Sequence, residues 1–180
     1  MMTRYGMLIN TAECVGCYTC RVSCQRQNTL NHKEDFIKFT EKETGTYPDV
    51  STEVVPTQCM QCDDAPCAKA CPTGATYIKD DGIVRVDQDK CIGCKYCMVV
   101  CPYNARVVNY ETGTVDKCRM CAAELAANDI PNCSCVSACL MDCRMVGDLD
   151  DPESDISKAI VKHHAKTLTG DKNANIYYVR

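Results

Sequence analysis

Apolar and polar positions keep no period for long in this chain, so the elements they predict are short. Tyr5, Met7 and Ile9 fall two apart and predict a brief strand at the start. Val15 to Asn28 reads as a loop followed by a short helix, and Thr29 to Val50 is polar and charged, as expected of a surface insertion. A second strand is predicted over Glu53 to Thr57. Two hairpins follow, one over Thr76 to Val86 turning at Asp81–Gly82, the other over Ala105 to Val115 with Gly113 in its turn. Ala122 to Asn128 is a run of good helix formers. Asp151 followed by Pro152 predicts an N-cap and a first helical residue, with the helix running to about Lys166. Asn175 to Val179 ends the chain as an edge strand or an extended tail. The class is α+β.

Composition makes the core thin. Hydrophobic residues are 46% of the 180, but 18 of these are cysteines, Trp is absent and Phe occurs twice. Stability must then come from elsewhere, and bound metal can supply it, so the metal-free chain is expected to be largely unfolded. A formal net charge of −4 lacks the basic footprint that nucleic acid requires. No run approaches the roughly 20 apolar residues of a membrane span. Met1 to Asn10 carries no charged-then-apolar run of signal-peptide length, so any work at a membrane or outside the cytoplasm needs a partner as carrier.

Sixteen cysteines sort into four blocks. Cys14, Cys17, Cys20 and Cys24 share their spacing with Cys91, Cys94, Cys97 and Cys101. Cys59, Cys62, Cys67 and Cys71 have two extra residues in the middle gap, and Cys118 and Cys121 are answered after a long gap by Cys135 and Cys139. The spacing C-x2-C-x2-C-x3-C holds [4Fe–4S] cubes in bacterial ferredoxins, where the fourth cysteine reaches across to the neighbouring cube. Four blocks predict four cubes. Zinc is the rival for any lone CxxC, but it draws two pairs across a longer finger, whereas three blocks here are compressed and Pro follows Cys71 and Cys101. A disulfide scaffold would not repeat this way. No CxxC is followed by His, which excludes haem attachment, and His32, His163 and His164 lie outside every block as surface residues.

The crossover rule assigns the iron ligands and other cofactor-binding residues. One cube takes Cys59, Cys62 and Cys67 with Cys101, and its neighbour Cys91, Cys94 and Cys97 with Cys71. The outer pair takes Cys14, Cys17 and Cys20 with Cys139, and Cys118, Cys121 and Cys135 with Cys24. In block four, spacing alone leaves Cys133 and Cys143 open as alternatives, since Cys139-x3-Cys143 closes as well as Cys135-x3-Cys139 does. Two ferredoxin-like halves follow: a compact inner domain over residues 58–116, and a discontinuous outer half from residues 1–57 and 117–180. Each oxidised cube with four thiolates carries about −2, which needs compensation. Lys90, Lys95, Lys117, Arg21, Arg119 and Arg144 lie beside cysteines, although most such residues simply solvate a surface.

The whole chain resembles the four-cluster iron–sulfur (B) subunit of the molybdopterin oxidoreductases, nearest to those of polysulfide, thiosulfate and dimethyl-sulfoxide reductases. The resemblance rests on CVGCYTCRVSCQ (14–25), CMQCDDAPCAKACPTGATY (59–77), CIGCKYCMVVCPYNAR (91–106) and CRMVGDLDDPES (143–154). Anchored on Gly147 and Asp148, it implies that Cys135 and Cys139 close block four and that Cys143 is no ligand. Cys133 then falls in an insertion, with 13 residues between Cys121 and Cys135, and Leu140 stands where the family usually has proline. The resemblance implies a non-catalytic electron-transfer subunit. Its partners would be a large molybdenum or tungsten pterin subunit on the outer cubes and a quinone-binding membrane subunit near the inner ones. Location would be at the membrane through a partner, on the periplasmic face by co-export. The alternative is a soluble, cytoplasmic four-cluster relay of a formate hydrogenlyase or hydrogenase-type complex.

Overall fold

A computed structural model describes residues 4–122 and 131–180. The first half runs β1 (Tyr5–Asn10), α1 (Thr19–Gln27), β2 (Lys38–Thr46), β3 (Asp49–Thr57), α2 (Pro66–Lys69), β4 (Thr76–Ile78) and β5 (Val84–Val86). The second runs α3 (Tyr96–Val99), β6 (Arg106–Val108), β7 (Val115–Lys117), α4 (Ser134–Ser137), β8 (Arg144–Asp148), α5 (Asp155–Lys162), β9 (Lys166–Thr167) and β10 (Ile176–Val179). All but the first residue of the helix expected over Ala122 to Asn128 lies outside the described residues.

The largest sheet is built from both ends of the chain, in the order β8-β1-β10-β9. β1 pairs antiparallel with β8, Tyr5 facing Asp148 and Ile9 facing Arg144. It pairs parallel with β10, Met7 facing Ile176 and Asn10 facing Val179. Met7, Ile9, Ile176 and Tyr178 are buried and hold this sheet to the core. The last strand is therefore no edge strand or tail, because β9 covers its outer side and its alternate residues Ile176 and Tyr178 turn inward.

Both short hairpins form as expected, β4 with β5 (Thr76 facing Val86) and β6 with β7 (Arg106 facing Lys117). Gly82 and Gly113 occupy positive φ (73° each) in their turns, where a side chain would be strained. Thr29 to Val50 is not a plain insertion. Lys38 to Thr57 forms one long hairpin, β2 on β3, whose register runs from Lys38–Thr57 to Thr46–Asp49. The expected strand over Glu53 to Thr57 is its second half. Its far portion exposes both faces, so no apolar alternation marks it in the sequence.

The helix after Asp151 starts later and ends earlier than expected. Ser154 is its N-cap, with Oγ accepting from Ser157 N at 3.2 Å. Asp151 instead closes the preceding turn, where its Oδ1 accepts from Glu153 N at 2.9 Å. The helix stops at Lys162 because His164 (φ 50°) turns left-handed. His164 N then donates to Val161 O and Ala165 N to Ile160 O, a Schellman ending.

Candidate metal centres

The four cysteine blocks share one backbone path as far as the third cysteine, and blocks two to four share it to the end. The residue before each second cysteine is left-handed: Gly16 (φ 65°), Gln61 (47°), Gly93 (67°) and Met120 (52°). Each third cysteine is the second residue of a helix: Cys20 in α1, Cys67 in α2, Cys97 in α3 and Cys135 in α4. Four residues on comes the closing cysteine. The amide of Cys71 donates to Ala68 O, that of Cys101 to Met98 O and that of Cys139 to Val136 O, at 3.2, 3.4 and 3.0 Å. Gly74, Asn104 and Asp142, three residues later, are all left-handed. Cys135 and Cys139 thus stand where Cys67 and Cys71 stand. Cys133 is the N-cap of α4, the place of Ala65 before α2, and Cys143 immediately precedes β8.

All eighteen cysteines are unpaired thiols. Among the described residues no group of donors is packed for a single metal ion; the inner cysteines line larger voids instead. One void is bordered by Cys59, Cys62, Cys67 and Cys101. The other is bordered by Cys71, Cys91, Cys94 and Cys97. On the outer side, α1 packs against α4, and Ser23 Oγ donates to Ser134 O at 3.0 Å. Burial pushes the Cys24 thiol up to about 12, with help from the neighbouring Cys135 and Cys121. Burial likewise raises Cys118, which also feels Cys24, Cys135 and Cys59. Cys20 is raised by burial and lies near Arg144, Cys135 and Cys14. Burial raises Cys143 to about 12, with help from the neighbouring Cys139 and Cys14. The structure therefore makes neighbours of thiols from blocks one and four, while those of blocks two and three line the two inner voids.

Amides point at several of these sulfurs. Thr76 N donates to Cys71 Sγ at 3.4 Å, Val115 N to Cys91 Sγ at 3.5 Å, Met120 N to Cys118 Sγ at 3.5 Å and Cys143 N to Cys139 Sγ at 3.3 Å. At Cys71 burial opposes ionisation, but the bonds from Thr76 and Thr73 prevail and bring it down to about 7. Cys121 is brought down to about 6, chiefly by the neighbouring Cys133 side chain and against the opposing effect of burial.

Three basic side chains are buried among the cysteines. Arg106 is 2% exposed and borders both inner voids; its Nη1 donates to Thr76 Oγ1 at 3.3 Å, while Nε and Nη2 have no partner. Arg144 is 4% exposed; its Nη1 donates to Gln58 Oε1 at 2.8 Å and lies 3.9 Å from Cys135 Sγ, while Nη2 has no partner. Lys117, 1% exposed, donates through Nζ to Cys118 O at 2.9 Å and to Val84 O. Burial opposes the charge on both arginines, yet neighbouring cysteine sulfurs favour it: Cys67 and Cys97 at Arg106, Cys135 and Cys20 at Arg144. Orphaned guanidinium N–H groups facing clustered soft thiols fit an anionic iron–sulfur cluster.

Proximity to cysteine in the sequence pointed to Lys117 and Arg144 but also to residues used elsewhere. Arg21 pairs with Asp35 at 2.7 Å, Lys90 with Asp87 at 3.0 Å and Arg119 with Asp116, while Lys95 is exposed. Arg106 was missed. The signal available was its place one residue after Ala105, at the start of a predicted strand where a charge would be unusual. His32, His163 and His164 are exposed, as expected.

A 4Fe-4S dicluster domain family matches residues 50–149. The B chain of polysulfide reductase from Wolinella succinogenes is 36% identical over 89% of this chain and 84% of its own length. The B subunit of sulfite dehydrogenase from Allochromatium vinosum is 38% identical over 99% of this chain and 84% of its own. The thiosulfate reductase electron transfer subunit PhsB of Salmonella typhi is 38% identical over 85% and 80%. The family match spans blocks two to four, and the relatives cover 85% or more of the chain. The chain belongs to the iron–sulfur B subunits of the molybdopterin oxidoreductases, electron-transfer proteins whose cofactors are [4Fe–4S] clusters.

Proposed function

We propose that the chain relays electrons through four [4Fe–4S] cubes between a molybdenum or tungsten pterin catalytic subunit and a quinone-linked membrane subunit. Sixteen cysteines are the ligands, in the crossed sets Cys14/Cys17/Cys20/Cys139, Cys118/Cys121/Cys135/Cys24, Cys59/Cys62/Cys67/Cys101 and Cys91/Cys94/Cys97/Cys71. The observation that carries this reading is the pair of inner voids, each bordered by one of the two crossed inner quartets. For the outer sets, the shared backbone path and the packing of α1 on α4 support the same crossing.

A bound cube stores one electron at a potential set by net charge, hydrogen bonds to sulfur and solvent exposure. The chain's residues supply all three controls. Amides of Thr76, Val115, Met120 and Cys143 donate to ligand sulfurs. Cys17 and Cys94 are exposed, which supports placing the two entry ports at their quartets. The inner unit spans residues 58–116, and the outer unit joins residues 1–57 to 117–180, a division supported by the sheet that β1, β8 and β10 share. No described helix is long and apolar enough to cross a membrane; in this reading a partner subunit carries the chain to the membrane, on the periplasmic face.

Anaerobically purified protein should contain about 16 iron and as much sulfide, four of each per cube. About four zinc with no sulfide would overturn the reading. A large subunit carrying a pterin should co-purify; a hydrogenase-type partner in its place would overturn the assignment of the complex.

A further inference from the structure

Five buried side-chain polar atoms lack partners among the described residues, and three of them belong to Arg106 and Arg144. A guanidinium held out of water without an anion is destabilising by several kcal/mol. These two are therefore placed for something that the protein atoms alone do not provide. Their positions follow a rule. Arg106 borders both inner voids, sharing one with Cys67 and the other with Cys97. Arg144 lies 3.9 Å from Cys135 Sγ, in one outer quartet, and also interacts with Cys20, in the other. Lys117 spans the remaining gap: Nζ donates to the carbonyl of Cys118, in an outer quartet, and to that of Val84, which borders the Cys59 void. Cys118 and Cys59 are themselves electrostatic neighbours.

We propose that each junction between successive cubes holds one buried basic side chain, Arg144, Lys117 and Arg106 in order, and that each sets the potentials of both cubes beside it. The inference rests on the four-cube reading above. A positive charge favours the more negative, reduced state of a neighbouring cluster, so each residue raises two potentials together. Sharing a charge keeps adjacent potentials in step, which limits uphill steps along the chain. Each transfer moves one electron with no bond made or broken. Hydrogen bonds to single sulfurs cannot do this, because each acts on one cube.

The test uses the full chain in its complex, loaded and handled anaerobically, with potentials followed by EPR redox titration. In Arg106→Gln, two of the four midpoint potentials should fall and two should stay. Each fall should lower the reduced-to-oxidised ratio at fixed potential at least tenfold, about 59 mV for a one-electron couple. Arg106→Lys, which keeps the charge, should leave all four ratios within threefold. Arg144→Gln should lower a different pair. Iron and sulfide are counted on every sample. If the Gln variant loses iron, a Lys variant with full iron and unchanged potentials still supports the charge. A shift of one cube only, no shift with full iron, or iron loss in both variants would overturn the proposal. Wild-type protein far from about 16 iron would instead defeat the four-cube reading beneath it.

Discussion

Cys133 and Cys135 sit two residues apart and both are buried, yet the proposed ligand set takes only Cys135. Cys135 is the second residue of α4, the position that Cys67 and Cys97 hold in their helices. Cys133 caps that helix and donates its thiol to Met120 O at 3.0 Å. Cys135→Ser should therefore convert or lose one cube, a fall of about one iron on conversion or about four on loss, while Cys133→Ser keeps all four cubes. Iron analysis with EPR of the reduced protein checks it, and equal loss in both would refute the assignment. Spacing left this choice open because it records distance along the chain, not where a helix begins. The resemblance through Gly147 and Asp148 pointed to Cys135, and the fold supplies a physical reason. Arg106 was harder to read. It lies five residues past Cys101, and only the folded β6–β7 hairpin returns it to Cys67 and Cys97.

At the scale of elements, what was legible depended on whether a turn or a buried face left a mark. Asp81–Gly82 and Gly113 mark their hairpins because those turns need positive φ. The β2–β3 hairpin left no such apolar pattern, since much of it is solvated on both sides. Start and stop of α5 were displaced because Asp151 and Ser154 both suit a cap, and the sequence does not say which carboxylate or hydroxyl the turn will use. One close approach ties a cysteine loop to a hairpin: a Cβ on Gly93 would lie 2.6 Å from Gly113 O, at φ +67°. Gly74 has the same φ and nothing within 4 Å. Gly93→Ala should then displace the loop between Cys91 and Cys94 and cost the protein about four iron. Gly74→Ala should keep its iron and lose only about 1–2 kcal/mol of stability, the ordinary penalty of a left-handed side chain. Thermal unfolding and iron content on the two variants separate these effects, and similar iron loss in both would show that backbone strain, not the contact, is decisive.

For the whole molecule, the termini are structural parts of the wire. β10 lies between β1 and β9, and β1 leads directly into the first cysteine loop. Deleting residues 176–180 removes the parallel partner of β1 while leaving Asn175, which donates to Gln61 O at 2.7 Å. Iron should fall towards about 8 through loss of the outer pair, with the inner pair retained; full iron would make the sheet dispensable.

Removing the metal should undo more than the clusters. The apolar core is thin, and without cubes Arg106 and Arg144 keep buried charge with no cluster anion to offset it. Chelation under oxidising conditions should therefore abolish the cooperative thermal transition seen by circular dichroism. Protons oppose the same equilibrium with a definite sign. Burial lifts Cys24 and Cys62 from 9.0 to about 12, so the metal-free fold keeps both protonated. That contribution to the metal-free fold is present below 9 and lost as pH rises towards 12. Loading iron must expel those protons, so affinity rises with pH across the neutral range. At a fixed chelator concentration, cluster loss should be greater at pH 6 than at pH 8, read by the decay of visible absorbance. Equal loss at both values would mean that proton release from these thiols does not govern retention.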